Sequence, residues 1–174
     1  RTNEVVRRAL DDAKRMKEKY GFVESWINTG SPLNAAISIF AEDFIACCAI
    51  EPEIAQHVLM VMAKTMIRLR YEFEDYLNPP SRTEITHYAI GNCPAIMFSP
   101  EMYREVILPT DLWVRMQVKD FNIHHCGIFD RYAELYTALN PQSLDVGGGS
   151  DYRHLRRYFP DAICSYIVNP EFFE

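Results

Sequence analysis

The sequence predicts an α/β fold built on a parallel sheet, and three observations in its last third carry that prediction. Short apolar runs recur at 121–126, 142–146 and 162–168, a spacing of about twenty residues, with helix-like stretches at 129–138 and 152–159 between them. The first two runs stop at glycine, where the next helix can begin. The composition, 48% apolar and 24% charged over 174 residues, suits one globular domain with a substantial core.

The elements follow in chain order. Over residues 3 to 19, Val5, Val6, Ala9, Leu10, Ala13 and Met16 share one helical stripe, and Gly21 supplies the stop. Phe, Val, Trp and Ile then predict a strand near 22–28, before a turn at Gly30-Ser31-Pro32. Residues 34–41 read as a short helix or a buried strand, since periodicity cannot decide over so few positions. Glu51-Pro52-Glu53 opens a long helix, with Ile54, Val58, Leu59, Met62, Met66 and Leu69 as its apolar stripe to about Glu74. Its methionines are expected in the core.

Asn78-Pro79-Pro80-Ser81 breaks the chain, and Ile85–Ile90 is the next strand. Gly91-Asn92-Cys93-Pro94 forms a loop, with Cys93 as an exposed thiol lacking a base partner. Ser99 and Pro100 have the order of an N-cap and first helical residue. Pro109 is expected to interrupt that helix, with Thr110-Asp111 recapping a segment that runs to about Val118.

The net charge of −6 offers no basic field to release counterions from nucleic acid. Arg153, Arg156 and Arg157 are read as a solvated helix face. The longest uncharged apolar run, Phe44 to Ile50, is too short to span a bilayer. An odd count of five cysteines, two of them adjacent, predicts reduced thiols rather than a disulfide framework, and with no visible leader a cytoplasmic setting. The chain lacks an initial Met and stops soon after a strand-like segment, which predicts a fragment of a longer protein.

The chemistry concentrates in Phe121-Asn122-Ile123-His124-His125-Cys126-Gly127. Strand side chains alternate faces, so Asn122, His124 and Cys126 share one face and Phe121, Ile123 and His125 the other. An imidazole and a thiol two positions apart can reach one ion, and nitrogen with sulfur suits zinc. Set against this, His and Cys are common interior residues and H-x-C alone is a weak pattern. The position adds weight, because parallel α/β folds build sites at the C-terminal ends of their strands. Asp145 ends the next strand. It can orient a ligand histidine, bind substrate or ligate, or else cap its own turn. Gly147–Gly149 match neither phosphate-binding fingerprint. Cys164 reads as a core thiol. A Cys/His hydrolase lacks its local context.

Several segments resemble the uroporphyrinogen decarboxylase superfamily. Ser99-Pro100-Glu101-Met102-Tyr103 leading to Ile107-Leu108-Pro109 resembles its S-P-E-x-Y…L-P segment. His124-His125-Cys126-Gly127 resembles its H-x-C-G strand end, and Leu144 to Asp151 its Gly-rich segment. Ile167-Val168-Asn169-Pro170 sits where members often carry a G-N-x-D-P-like segment. The resemblance covers residues 30–174, with a leading helix and strand over 1–29. It implies a (β/α)8 TIM-barrel fold, here a partial barrel lacking N-terminal units. H-x-C marks the branch of zinc methyltransferases that exchange a methyl group with a corrinoid (cobalamin) carried by a partner protein. His124 and Cys126 are then zinc ligands, Asp145 is a catalytic candidate, and the substrate is a small methylated compound such as a methyl ether. In many relatives the third ligand is a Cys nearer the C-terminus. Cys164 does not match that position, so the third ligand stays open, with Glu or Asp as alternatives. The decarboxylase branch binds tetrapyrroles without metal and carries an N-terminal Arg-rich motif that has no counterpart here. Tetrapyrrole decarboxylation, and a non-catalytic tetrapyrrole-binding or assembly subunit, are the competing readings. Neither nucleic acid nor membrane is an expected partner. Open sheet edges predict a homo-oligomer or a missing partner segment.

Overall fold

In the computed structural model, residues 3–23, 30–77 and 85–166 are described. Helix α1 (Glu4–Tyr20) starts at Asn3, whose side chain accepts from the Val5 N–H at 2.9 Å. It ends at Gly21, which takes φ 82°, a left-handed conformation glycine adopts without steric cost. Only Leu10 and Ala13 of its stripe are buried, and Val5 stands in solvent. Phe22 and Val23 form no strand, and the rest of the strand expected at 22–28 lies outside the described residues. So do the break at 78–81 and the segment Ile167-Val168-Asn169-Pro170.

The undecided stretch is helical. Helix α2 (Pro32–Phe40) is capped by Ser31, whose hydroxyl oxygen accepts from the Asn34 N–H at 3.0 Å. Helix α3 (Glu42–Ile50) follows a sharp bend at Ala41. Helix α4 (Pro52–Leu77) begins where its proline and acids predict. Its buried stripe is Ala55, Leu59, Ala63, Ile67 and Phe73, whereas the expected Ile54 is exposed. The correction has a physical reason: α4 packs against α2 and α3, and those neighbours, not its own stripe of large residues, fix its rotation. No single helix among the described residues is long and apolar enough to cross a membrane. The pair α2 and α3 together meets the length and composition but is bent by 113°.

Strand β1 (Ile85–Gly91) leads into a 3₁₀ turn at Cys93–Met97, and Ser99 caps α5 (Pro100–Met102). Pro109 does not interrupt this helix as its sequence position suggests. A π-helical turn at Tyr103–Ile107 widens the backbone and runs straight into α6 (Leu108–Arg115). Proline lacks the N–H that would bond the Glu105 carbonyl, and Gln56 Nε2 donates to that carbonyl instead, at 2.6 Å. Thr110 and Asp111 are therefore buried helix residues, not a second cap.

Strand β2 (Val118–His125), a 3₁₀ turn at Asp130–Tyr132 with α7 (Ala133–Thr137), strand β3 (Ser143–Val146), α8 (Tyr152–Tyr158) and β4 (Ile163–Tyr166) complete the order. All pairings are parallel and the sheet runs β1-β2-β3-β4, which bears out the α/β reading. Among the described residues the sheet has four strands, with β1 and β4 at its edges. Ile90, Ile123, Leu144 and Val146 are buried in the core on the helix side. The opposite face carries His87, Ala89, Asn122, His124, Ser143, Asp145 and Ser165, which are half-buried or exposed. Arg153 and Arg157 are solvated as expected, while Arg156 turns back to the Phe159, Pro160 and Ala162 carbonyls.

Candidate metal centre

The site lies at the C-terminal ends of three adjacent strands. Register places Gly91 beside His124 and His124 beside Asp145. Residues far apart in the chain thus arrive at one level of the sheet. Two positions past Gly91, the 3₁₀ turn brings Cys93 over β2. Ligand atoms of Cys93, His124 and Cys126 all lie within 4.8 Å of one another. That compactness suits a tetrahedral ion with metal–sulfur bonds of about 2.3 Å and metal–nitrogen bonds of about 2.0 Å.

The alternation predicted for β2 holds. His124 points to the open face, its side chain 40% exposed, and His125 to the buried one. Asp145 Oδ2 accepts from His124 Nδ1 at 2.6 Å, which leaves Nε2 as the imidazole atom free to ligate. Cys126 is exposed just past the strand end. The neighbouring Cys93 thiol pushes Cys126 up, with burial adding to the effect and the Asp145 carboxylate contributing least. Two thiols and a carboxylate in one spot repel each other's negative forms, and a bound cation relieves that repulsion. His125 is packed among Phe129, Tyr132 and Tyr136, and burial pushes it down to about 4.

Backbone contacts hold the cluster's frame. The Gly91 carbonyl accepts from Ser31 Oγ at 2.9 Å and Asn34 Nδ2 at 2.8 Å, so α2 pins the end of β1. Tyr132 Oη is 2.6 Å from the Ala95 carbonyl and 2.8 Å from that of Phe98, which anchors the turn after Cys93. Gly147 N–H donates to the His125 carbonyl at 2.9 Å, tying β3's exit to Cys126.

A buried polar trio sits behind Cys93. Asp111 Oδ2 accepts from Asn92 Nδ2 at 2.7 Å and from the Tyr103 hydroxyl. Burial pushes Asp111 up to about 6, against the opposing pull of these hydrogen bonds. The folded state therefore holds this proton more tightly than the unfolded chain. Its stabilisation is full below the ordinary value of 3.8 and is lost as pH rises through about 6. Metal-free wild type is expected to lose up to ~3 kcal/mol relative to Asp111→Asn between about pH 4 and pH 7. Paired urea titrations measure the difference, and parallel pH profiles would refute the assignment.

The structure corrects one reading outright: Cys93 is half-buried and faces His124 and Cys126, not an unpartnered thiol in an open loop. Cys164 stays apart from the cluster, packed against the core, with its sulfur 3.6 Å from the Ala162 carbonyl. Asn122 shares the His124 face, and its side-chain oxygen accepts from Ser143 Oγ at 2.7 Å. No protein-family model, curated protein or solved structure matches the chain.

Proposed function

We propose that Cys93, His124 and Cys126 bind zinc and that the site serves methyl transfer. One observation carries the metal reading: two sulfurs and an imidazole converge at the strand ends, with a carboxylate on the imidazole's other nitrogen. Soft sulfur with nitrogen favours zinc over magnesium or calcium, and three protein ligands leave a fourth position for a substrate atom. Zinc bound there would supply a Lewis acid for the oxygen or sulfur that carries the methyl group.

The chain's own residues account for the rest. His124 and Asp145 have side chains 40% and 48% exposed, so a small solute can reach the site. Asp145 orients the imidazole and fixes its tautomer. The choice of methyl transfer, with a small methylated substrate such as a methyl ether and a partner corrinoid protein, rests on the H-x-C-G resemblance. So does the proposal that these four strands are units of a (β/α)8 barrel. Among the described residues β1 and β4 each pair with a strand on one side only, which supports self-association of the isolated chain.

The experiment has two arms. Metal analysis is expected to give about one zinc per chain, within the ligand count of a single site. The zinc-loaded chain is then mixed with free methylcobalamin and a small thiol, and loss of the methyl–cobalt absorbance is followed. Acceleration supports methyl transfer, and a fully loaded chain that matches buffer overturns it. Asp145→Ala is expected to weaken zinc binding by about 10- to 100-fold without unfolding the chain. Chelator competition measures this, and an unchanged affinity would remove Asp145 from the site.

A further inference from the structure

We infer that Asp111 is a positioning residue for the metal centre: through Asn92 it holds the end of β1 so that Cys93 faces His124 and Cys126. The inference rests on the metal reading above. Asn92 is the joint. Its backbone N–H donates to the His124 carbonyl at 2.8 Å, and its side-chain amide donates to Asp111 Oδ2 at 2.7 Å and reaches Tyr103 Oη at 3.0 Å. Tyr103 donates to the same Asp111 oxygen. All three residues have 0% exposure. Gly91 is fixed from the other side by Ser31 and Asn34. The backbone entering Cys93 is thus clamped on both sides, and one clamp also reaches the metal-binding histidine.

The energetics argue for a purpose beyond packing. A buried carboxyl is costly beside an apolar residue of the same volume. Here Asn92 Oδ1 and Asp111 Oδ1 also have no hydrogen-bond partner among the described residues. Aliphatic side chains would fill this space more cheaply. They would not fix the rotation of Asn92, and that rotation sets where the next side chain points. Local rules broken at fully buried positions beside a cluster of ligands mark a supporting shell.

The test uses Asp111→Leu, with Val114→Ala, another buried residue of α6, as the control for general destabilisation. Cobalt(II) is the probe, with affinity read by chelator competition. In the metal-free protein, the alkylation rates of Cys93 and Cys126 by iodoacetamide are read by mass spectrometry. Asp111→Leu is expected to weaken cobalt binding about tenfold or more and to raise the Cys93-to-Cys126 alkylation ratio. Val114→Ala should leave both readouts unchanged even at an equal loss of melting temperature. The inference is overturned if the control shifts both readouts equally, or if Asp111→Leu keeps the wild-type affinity and ratio. Should Asp111→Leu fail to fold, Tyr103→Phe removes a single hydroxyl, with about a threefold weakening expected; wild-type values there overturn the idea. Wild-type protein that takes up no cobalt would sink the metal reading itself, while the alkylation ratio still judges the hold on Cys93.

Discussion

Replacing Cys93 with serine is expected to strip the proposed zinc from the site, at a cost as large as losing either residue of the H-x-C pair. The argument is ligand arithmetic. Thiolate-rich zinc sites bind with roughly 10–16 kcal/mol in total, so one of three protein ligands carries at least ~3 kcal/mol, a hundredfold or more in affinity. Serine keeps the volume but offers a hydroxyl that does not ionise near neutral pH and binds zinc poorly. The two remaining proposed ligands, His124 near the end of β2 and Cys126 just past it, would form a chelate too weak to survive dialysis. Cys164→Ser and Cys47→Ser should leave zinc in place, because neither sulfur belongs to the cluster. Metal content after dialysis, with cobalt(II) titration for the affinity, decides it. Full zinc retention in Cys93→Ser would mean that the third ligand lies elsewhere and that the 4.8 Å grouping is incidental.

His124, Cys126 and Asp145 of this site can be read from the sequence and the role of Cys93 is harder to read, and strand geometry explains the division. His124 lies near the end of β2 and Cys126 just past it, so period-two alternation carried one position beyond the strand puts them on one face and sends His125 into the core. The His124–Asp145 contact needs one further inference, that consecutive parallel strands pair, and the regular strand spacing supplies it. Cys93 needs the register between β1 and β2, which no local pattern encodes. The sequence does carry one signal: Gly91-Asn92-Cys93 also closes a strand at a glycine, so it meets the same strand-end rule as Cys126-Gly127. The Pro109 segment shows the reverse case. Local rules are sound in predicting a break, but a π turn and Gln56, 49 positions away from Glu105 in sequence, rescue the freed carbonyl. The rotation of α4 is equally out of reach of local pattern, since Ile54 is a better core residue than Ala55 until the packing of α2 and α3 against the helix is known.

Gly147→Ala is expected to be the most damaging single-methyl change among the described glycines, and to disable the site from behind. A methyl placed there meets the Cys126 carbonyl oxygen at 2.0 Å, the Cys126 carbonyl carbon at 2.3 Å and the Gly127 carbonyl oxygen at 2.8 Å. These are backbone atoms, which cannot swing aside as a side-chain tip can. The Gly147 N–H bond to His125 keeps β3 from sliding away, so the strain falls on the Cys126-Gly127 peptide itself. Overpacking against backbone costs ~3 kcal/mol or more, about 6–12 °C in melting temperature for a chain of this size. Gly21→Ala provides the comparison. It keeps an unfavourable positive φ of 82° but meets nothing within 4 Å, so its cost is about 1–2 kcal/mol and its zinc affinity should be unchanged. Strain at Gly147 displaces a ligand, whereas strain at Gly21 only loosens a helix end. Melting curves and chelator competition on both variants separate these effects. A Gly147→Ala protein that melts within about 2 °C of wild type with its zinc intact would show that the β3 exit does not press on Cys126.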